Sequence, residues 1–207
     1  MSGAVPERVV LATRNAHKTA ELRAILADLG VRVDLVNVTE FPDVPDVAET
    51  ELSFAGNALL KAAAVAEATG LPSIADDSGI CVDALNGMPG IFSARWAGKH
   101  GDDAANLDLL LAQVSDVPDE HRGAAFVCAA ALAEPGPDGR RVVEEGRIEG
   151  VLLRERHGDG GFGYDPVFRP HGYDVSTAEL TAEAKNRISH RRRAFAALAP
   201  HLTRGRG

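Results

Sequence analysis

With 207 residues, 45% of them apolar and 25% charged, the chain is long enough for one sizeable core and too short for two large independent domains; a disordered or fibrous protein is excluded. A formal charge of −8 sets a whole-molecule field that repels nucleic acid and anionic membranes, so any anion it binds is held by local charge. The two cysteines, Cys81 and Cys128, are far apart and have no His or Cys neighbours at metal-ligand spacing, which predicts two buried thiols and no zinc site.

In chain order, the opening segment has no apolar stretch behind a basic one, and no later run approaches the roughly 20 apolar residues of a membrane span. The expectation is a cytoplasmic protein. Arg8 to Ala12 is a short β-branched run and reads as a strand. Thr13 to Lys18 follows as a polar loop, and Leu22, Ile25, Leu26 and Leu29 then recur with helical period over Thr19 to Leu29. Val31 to Val38 alternates as a strand, and the Pro-rich acidic stretch after it predicts a loop.

Ser53 is placed to cap a helix from Phe54 to Thr69, closed by Gly70 and Pro72. Pro72 to Val82 reads as a strand interrupted by Asp76-Asp77-Ser78-Gly79, and Asn86 to Gly90 as a turn. A helix is predicted over Asp102 to Val114, then strands over Ala124 to Leu132 and Arg141 to Leu153. Ser176 with Glu179 has a capping-box pattern, and Ser189 is placed to cap a last helix ending near Leu198. No internal repeat is visible. The whole is one mixed α/β unit over residues 1–207, with 203–207 as a frayed tail.

Four segments carry possible chemistry. Thr13, Arg14, Asn15, Ala16, His17 and Lys18 precede a helix start, where outward N–H groups and the positive dipole end attract phosphate; taken alone, these residues read more readily as an ordinary βα loop with a solvated lysine. The glycines of a Walker A loop are missing. The doublet Asp76-Asp77 offers carboxylate oxygens, which hard Mg²⁺ prefers while keeping waters and substrate phosphates, but adjacent acids also occupy ordinary turns. Glu49 or Glu51 supplies another metal ligand or belongs to a solvated acidic loop.

Gly158 to Pro166 satisfies G-x-G-x-x-G, yet it opens no helix, so dinucleotide binding is rejected. It reads instead as a flexible glycine loop presenting Phe162 and Tyr164 to stack on a base; a purely structural turn accounts for the glycines, but less readily for two aromatics and an aspartate among them. Lys185 to Arg193 packs five positive charges into an acidic chain, which suits triphosphate, although a basic run is also the ordinary composition of a solvated face. Asn57 and Lys61, four apart, share one helix face that can reach the same site, although taken alone they read as surface residues.

Together these segments resemble the inosine/xanthosine triphosphate pyrophosphatase family. LATRNAHKTAEL, ETELSFAGNALLKA, IADDSGICVDALNGMPGIFSARWAG, GGFGYDPVF and AELTAEAKNRISHRRRA carry the resemblance over nearly the full chain. It implies an elongated mixed central sheet flanked by helices, two lobes with a nucleotide cleft between them, and usually a homodimer. It implies that Thr13 to Lys18 bind triphosphate and that Asp77 is catalytic and a metal ligand. Ser78 contacts substrate, and Phe162, Gly163, Tyr164 and Asp165 bracket the base. Lys185 contacts substrate, while His190 and Arg191 read the oxygen-bearing edge of the purine. The activity implied is Mg²⁺-dependent hydrolysis of inosine or xanthosine triphosphate to monophosphate and pyrophosphate. Gly56 stands where the family commonly has an acid, and Glu49 is taken as the second metal ligand. Two readings compete: a pyrophosphatase for modified pyrimidine nucleotides, against which the His190-Arg191 match argues, and a nucleotide- or RNA-binding module without turnover, disfavoured by the acidity and the paired aspartates.

Overall fold

A computed structural model describes residues 8–203. Strands β1 (Arg8–Leu11), β2 (Asp34–Asn37), β3 (Ser73–Val82), β4 (Gly123–Ala133), β5 (Arg141–Leu152) and β6 (Phe168–Pro170) form one six-stranded sheet in the order β2-β1-β3-β4-β5-β6. Helices α1 (Ala16–Asp28), α2 (Phe54–Thr69), α3 (Asp103–Gln113), α4 (Ala182–Ile188) and α5 (His190–Thr203) complete the mixed α/β fold. β1 runs parallel to β2 and to β3, whereas β5 and β6 are antiparallel. Parallel neighbours need long crossovers, and α1 and α2 supply them.

The described residues fall into two compact units. The first comprises residues up to 77, 129–146 and those from 191; the second comprises 78–128 and 147–190. In the first, Ala58, Ala62, Val65 and Ala66 of α2 lie in one cluster with Val10 of β1, Ala75 of β3 and Ala129, Ala131 and Ala133 of β4. Alanine on both faces of the contact lets backbones approach closely. In the second unit the core is built from larger groups: Ile80, Val82, Leu107, Leu110, Phe126, Ile148, Leu152, Tyr164 and Phe168. There the Arg122 guanidinium is buried and donates to three backbone carbonyls, those of Val114 (2.5 Å), Leu152 (2.9 Å) and Leu153 (2.9 Å).

Several elements differ from the sequence expectation. Helix α1 starts at Ala16 rather than Thr19, because the Asn15 side chain accepts the Lys18 N–H and caps it. His17 and Lys18 therefore belong to its first turn and not to a loop. Strand β3 is continuous through Asp76 to Gly79; the acids are tolerated inside it because each has cationic partners. Of the capping box, the Ser176-Glu179 pair makes the half in which the Ser176 N–H donates to Glu179 Oε2 (2.7 Å), since the Ser176 hydroxyl donates to His157 O (2.6 Å), and Thr181 caps the helix that follows. Ser189 ends α4 and directly precedes α5, which continues through Pro200 to Thr203 while burying Leu198 and Leu202. Residues 204–207 of the expected frayed tail lie outside the described residues. Cys128 is buried as expected, but Cys81 is half-buried. Among the described residues no helix is long and apolar enough to cross a membrane.

Candidate active site

In the first unit, the polar residues gather around the two aspartates of β3. Strand alternation sends adjacent side chains to opposite faces, so Asp76 and Asp77 serve different partners. Asp76 Oδ2 receives Lys18 Nζ at 3.0 Å and Arg191 Nε at 3.2 Å, and Arg191 Nη1 reaches Glu21 Oε2 at 3.0 Å. Lys18 stands in the first turn of α1 and Glu21 one turn further along the same face. Arg191 is the second residue of α5 and is buried.

Asp77 faces α2. Its Oδ1 is 3.1 Å from Lys61 Nζ and its Oδ2 accepts from Asn57 Nδ2 at 3.3 Å. The same Lys61 ammonium lies 2.8 Å from Glu49 Oε1. Fully buried Asn57 also ties down the preceding loop, because its Oδ1 accepts the Glu51 N–H at 2.9 Å. The four-residue spacing of Asn57 and Lys61 thus does bring both to one carboxylate. Burial pushes the Asp77 carboxyl above its ordinary value; Lys61 pulls against this, and Glu49 adds to it. Burial works to lower the Lys61 ammonium but is outweighed by Asp77, Asp76 and Glu49, so it is raised. A raised, desolvated carboxyl is a stronger proton acceptor than a solvated one.

Glu49, not Glu51, shares a cation with Asp77. The Glu51 side chain is exposed and lies over Gly56, where an added Cβ would stand 2.7 Å from Glu51 Cβ. Among the described residues no group of three or more His, Cys, Asp or Glu is arranged to hold a metal. Two carboxylates converging on one positive position, with water and phosphate oxygens to complete the shell, are nevertheless a donor set that Mg²⁺ accepts. Asp77 and Glu49 fit that ion.

The rest of the expected phosphate segment divides. Asn15 is the helix cap, and Thr13 Oγ1 accepts the Asn15 N–H at 3.2 Å. Ala16 and His17 are exposed on the first turn. Arg14 turns to the acidic loop, donating to Asp46 Oδ1 and Val44 O, both at 2.6 Å.

In the second unit, whose first residue is half-buried Ser78, the glycine loop wraps around the buried Asp165 carboxylate. Asp165 Oδ2 accepts the Phe162 N–H at 2.8 Å and Lys185 Nζ at 2.5 Å, and Oδ1 accepts the Thr177 hydroxyl at 2.9 Å. Lys185 Nζ also sits 4.9 Å from the Phe162 ring centroid. Gly163 donates its N–H to Asp103 Oδ2 at 3.0 Å. Tyr164 corrects the sequence reading: it is not presented for stacking but belongs to the core, with its hydroxyl donating to Ser93 O at 2.8 Å. Burial, and to a lesser extent Asp103, raises that phenol. Its ring completes the apolar cluster, which outweighs any use at the surface. His190 is buried and stacks flat on Phe126, centroids 5.0 Å apart and 13° between planes.

Gly161 has φ +71° and a Cβ there would stand 2.1 Å from Asp165 Oδ2, whereas Gly163 has φ +61° and open space. Gly161→Ala is therefore expected to destabilise the fold by about 1 to 3 kcal/mol, against about 1 kcal/mol for Gly163→Ala, where only the left-handed backbone is penalised. Urea unfolding midpoints measure both; equal shifts would mean that the carboxylate does not press on position 161.

Sequence reasoning missed Glu21, Thr177, Asp103 and Phe126. Glu21 was accessible, since it lies three residues after Lys18 on a predicted helix. The others come from distant segments, and nothing in the local pattern of the chain marks them.

The model of the Ham1 family matches residues 9–201. A dITP/XTP pyrophosphatase of Streptomyces coelicolor is 65% identical over 193 residues, covering 93% of this chain and 96% of its own. The structure of a HAM1 protein from Coxiella burnetii superposes with a TM-score of 0.86 at 41% identity, covering 95% of this chain and 98% of that one. The crystal structure of a nucleoside-triphosphatase, or dITP/XTP pyrophosphatase, from Mycobacterium abscessus gives a TM-score of 0.76 at 54% identity, covering 93% and 99%. A match of this extent, on a chain with this sheet order and these acids in β3, establishes that the protein belongs to the Ham1 family.

Proposed function

We propose that the protein hydrolyses non-canonical purine nucleoside triphosphates, those of inosine and xanthosine, to the nucleoside monophosphate and pyrophosphate, with Mg²⁺ as its metal. The observation that carries this reading is the buried Asp77 carboxylate of β3, held by Lys61 and Asn57 with Glu49 on the same ammonium. The relatives named dITP/XTP pyrophosphatase support the substrate class. The family resemblance adds a homodimer to the reading, and the cytoplasmic location is carried over from the sequence.

Asp77 and Glu49 would hold the Mg²⁺ ion, which when bound supplies positive charge against the phosphate oxygens. Water attacks the α-phosphorus; its oxygen forms the new bond, the bond to the bridging oxygen breaks, and pyrophosphate leaves. Asp77 takes the proton of that water. Lys18 and Lys61 contribute fixed positive charge, and the N-terminus of α1 adds its oriented N–H groups, the usual setting for phosphate. Phe162 offers an aromatic face to the base, with Lys185 and Asp165 holding the loop that carries it. His190 and Arg191 select the purine by donating toward an acceptor at its six position, and the two acid partners of Arg191 fix its plane.

Hydrolysis of dITP in ¹⁸O-enriched water tests the reaction. The expected products are monophosphate and pyrophosphate in equal amounts, with the label in the monophosphate. Diphosphate and orthophosphate as primary products, or label in the pyrophosphate, would overturn it.

A further inference from the structure

Thr177 is buried and lies just before α4, with its N–H donating to Phe168 O at 2.9 Å. That bond fixes its backbone to β6. Its hydroxyl oxygen stands 2.9 Å from Asp165 Oδ1, 3.0 Å from Asp165 O and 3.5 Å from Phe168 O. A hydroxyl has one proton and all three neighbours are acceptors, so the proton goes to the charged oxygen, where the bond is strongest. The other carboxylate oxygen is held by the Phe162 N–H and by Lys185. Without the hydroxyl, Asp165 is fixed on one oxygen only and its carboxylate plane turns about the remaining bonds. Phe162 and Lys185, both bonded to that group, lose their common reference.

We propose that Thr177 is a positioning residue for base recognition: it locks the Asp165 carboxylate and, through it, the Phe162 ring and the Lys185 ammonium. This rests on the reading of the protein as a purine nucleotide pyrophosphatase, and it assigns Thr177 to the base rather than to the phosphates. The bond is to a charged, buried acceptor, the class whose loss costs about ten-fold or more in an equilibrium.

The test uses the full chain and two substitutions. Thr177→Val keeps the shape and removes the proton; Thr177→Ser keeps the proton and removes a methyl. Thr177→Val is expected to raise KM for dITP about ten-fold with kcat changed less than about three-fold, and Thr177→Ser to stay within about two-fold of the parent in both. Calorimetric binding separates the two ends of the ligand: Thr177→Val should weaken a non-hydrolysable dITP analogue by the same factor and leave inorganic tripolyphosphate unchanged. Equal weakening of both ligands, an unchanged KM, or a Ser variant as impaired as the Val variant would overturn the proposal. If Thr177→Val fails to fold, the Ser variant decides, because a ten-fold KM defect in it contradicts the hydroxyl's role. Failure of the underlying reading is distinct, since the parent protein would then not release pyrophosphate from dITP.

Discussion

Asp77→Asn is expected to fold and to lose about a thousand-fold of kcat for dITP, the range associated with removing a positioned general base. The amide keeps an oxygen for Lys61 or Asn57 to bond, so the local packing survives. It carries no charge, however, so Lys61 keeps Glu49 as its ion-pair partner and the more distant charge of Asp76, and the amide takes no proton from water. The variant also offers Mg²⁺ a poorer ligand. Pyrophosphate release measures turnover and far-UV circular dichroism confirms the fold. Turnover close to that of the parent in a folded variant would remove Asp77 from the chemistry and with it the assignment of the site.

Arg122→Met is expected to be the largest stability loss away from the site. The guanidinium is buried, and its donors go to the carbonyls of Val114, Leu152 and Leu153, the ends of α3 and β5. Methionine fills much of the volume but takes the donor from the Leu152 and Leu153 carbonyls, while Val114 O keeps the Val117 N–H at 3.2 Å. At about 1 to 3 kcal/mol for each of these two stranded groups, the loss is about 2 to 6 kcal/mol. For a chain of this size that lowers Tm by roughly 10 °C. Arg122→Lys, which restores a single ammonium, should fall between the two in a thermal melt. A Tm within about 2 °C of the parent would mean that water replaces the guanidinium.

Much of the fold is legible in the chain because its signals are local. Ser53 and Gly70 bracket α2 at the expected residues, and the apolar stripe of α3 falls between Asp102 and Val114 as its period requires. The site is legible only in part. Lys61 pairs with both Asp77 and Glu49, and Lys18 with Asp76, all in segments that the motifs single out, whereas the continuity of β3 across Asp76 to Gly79 was hidden, because propensity penalises buried acids and the cations that pay for them come from α1, α2 and α5. Tyr164 misled for the same reason: an aromatic among glycines looks exposed until the core that absorbs it is assembled.

The two cores also differ in how they respond to mutational drift. In the first unit the contact between α2 and the sheet is made of alanines, which surrender no rotamer freedom on burial but leave no room for an added methyl group. In the second, phenylalanine, leucine and isoleucine fill the space, and truncation opens a cavity. The α2 contact is therefore damaged mainly by side chains that grow and the second cluster mainly by side chains that shrink, as are Leu22, Ile25, Phe195 and Leu198 elsewhere in the first unit. Substitutions that conserve hydrophobicity while changing volume carry opposite signs of risk in these two clusters, so the replacement of alanine by valine is a steric fault at Ala62 and the reverse replacement a packing fault at Val82.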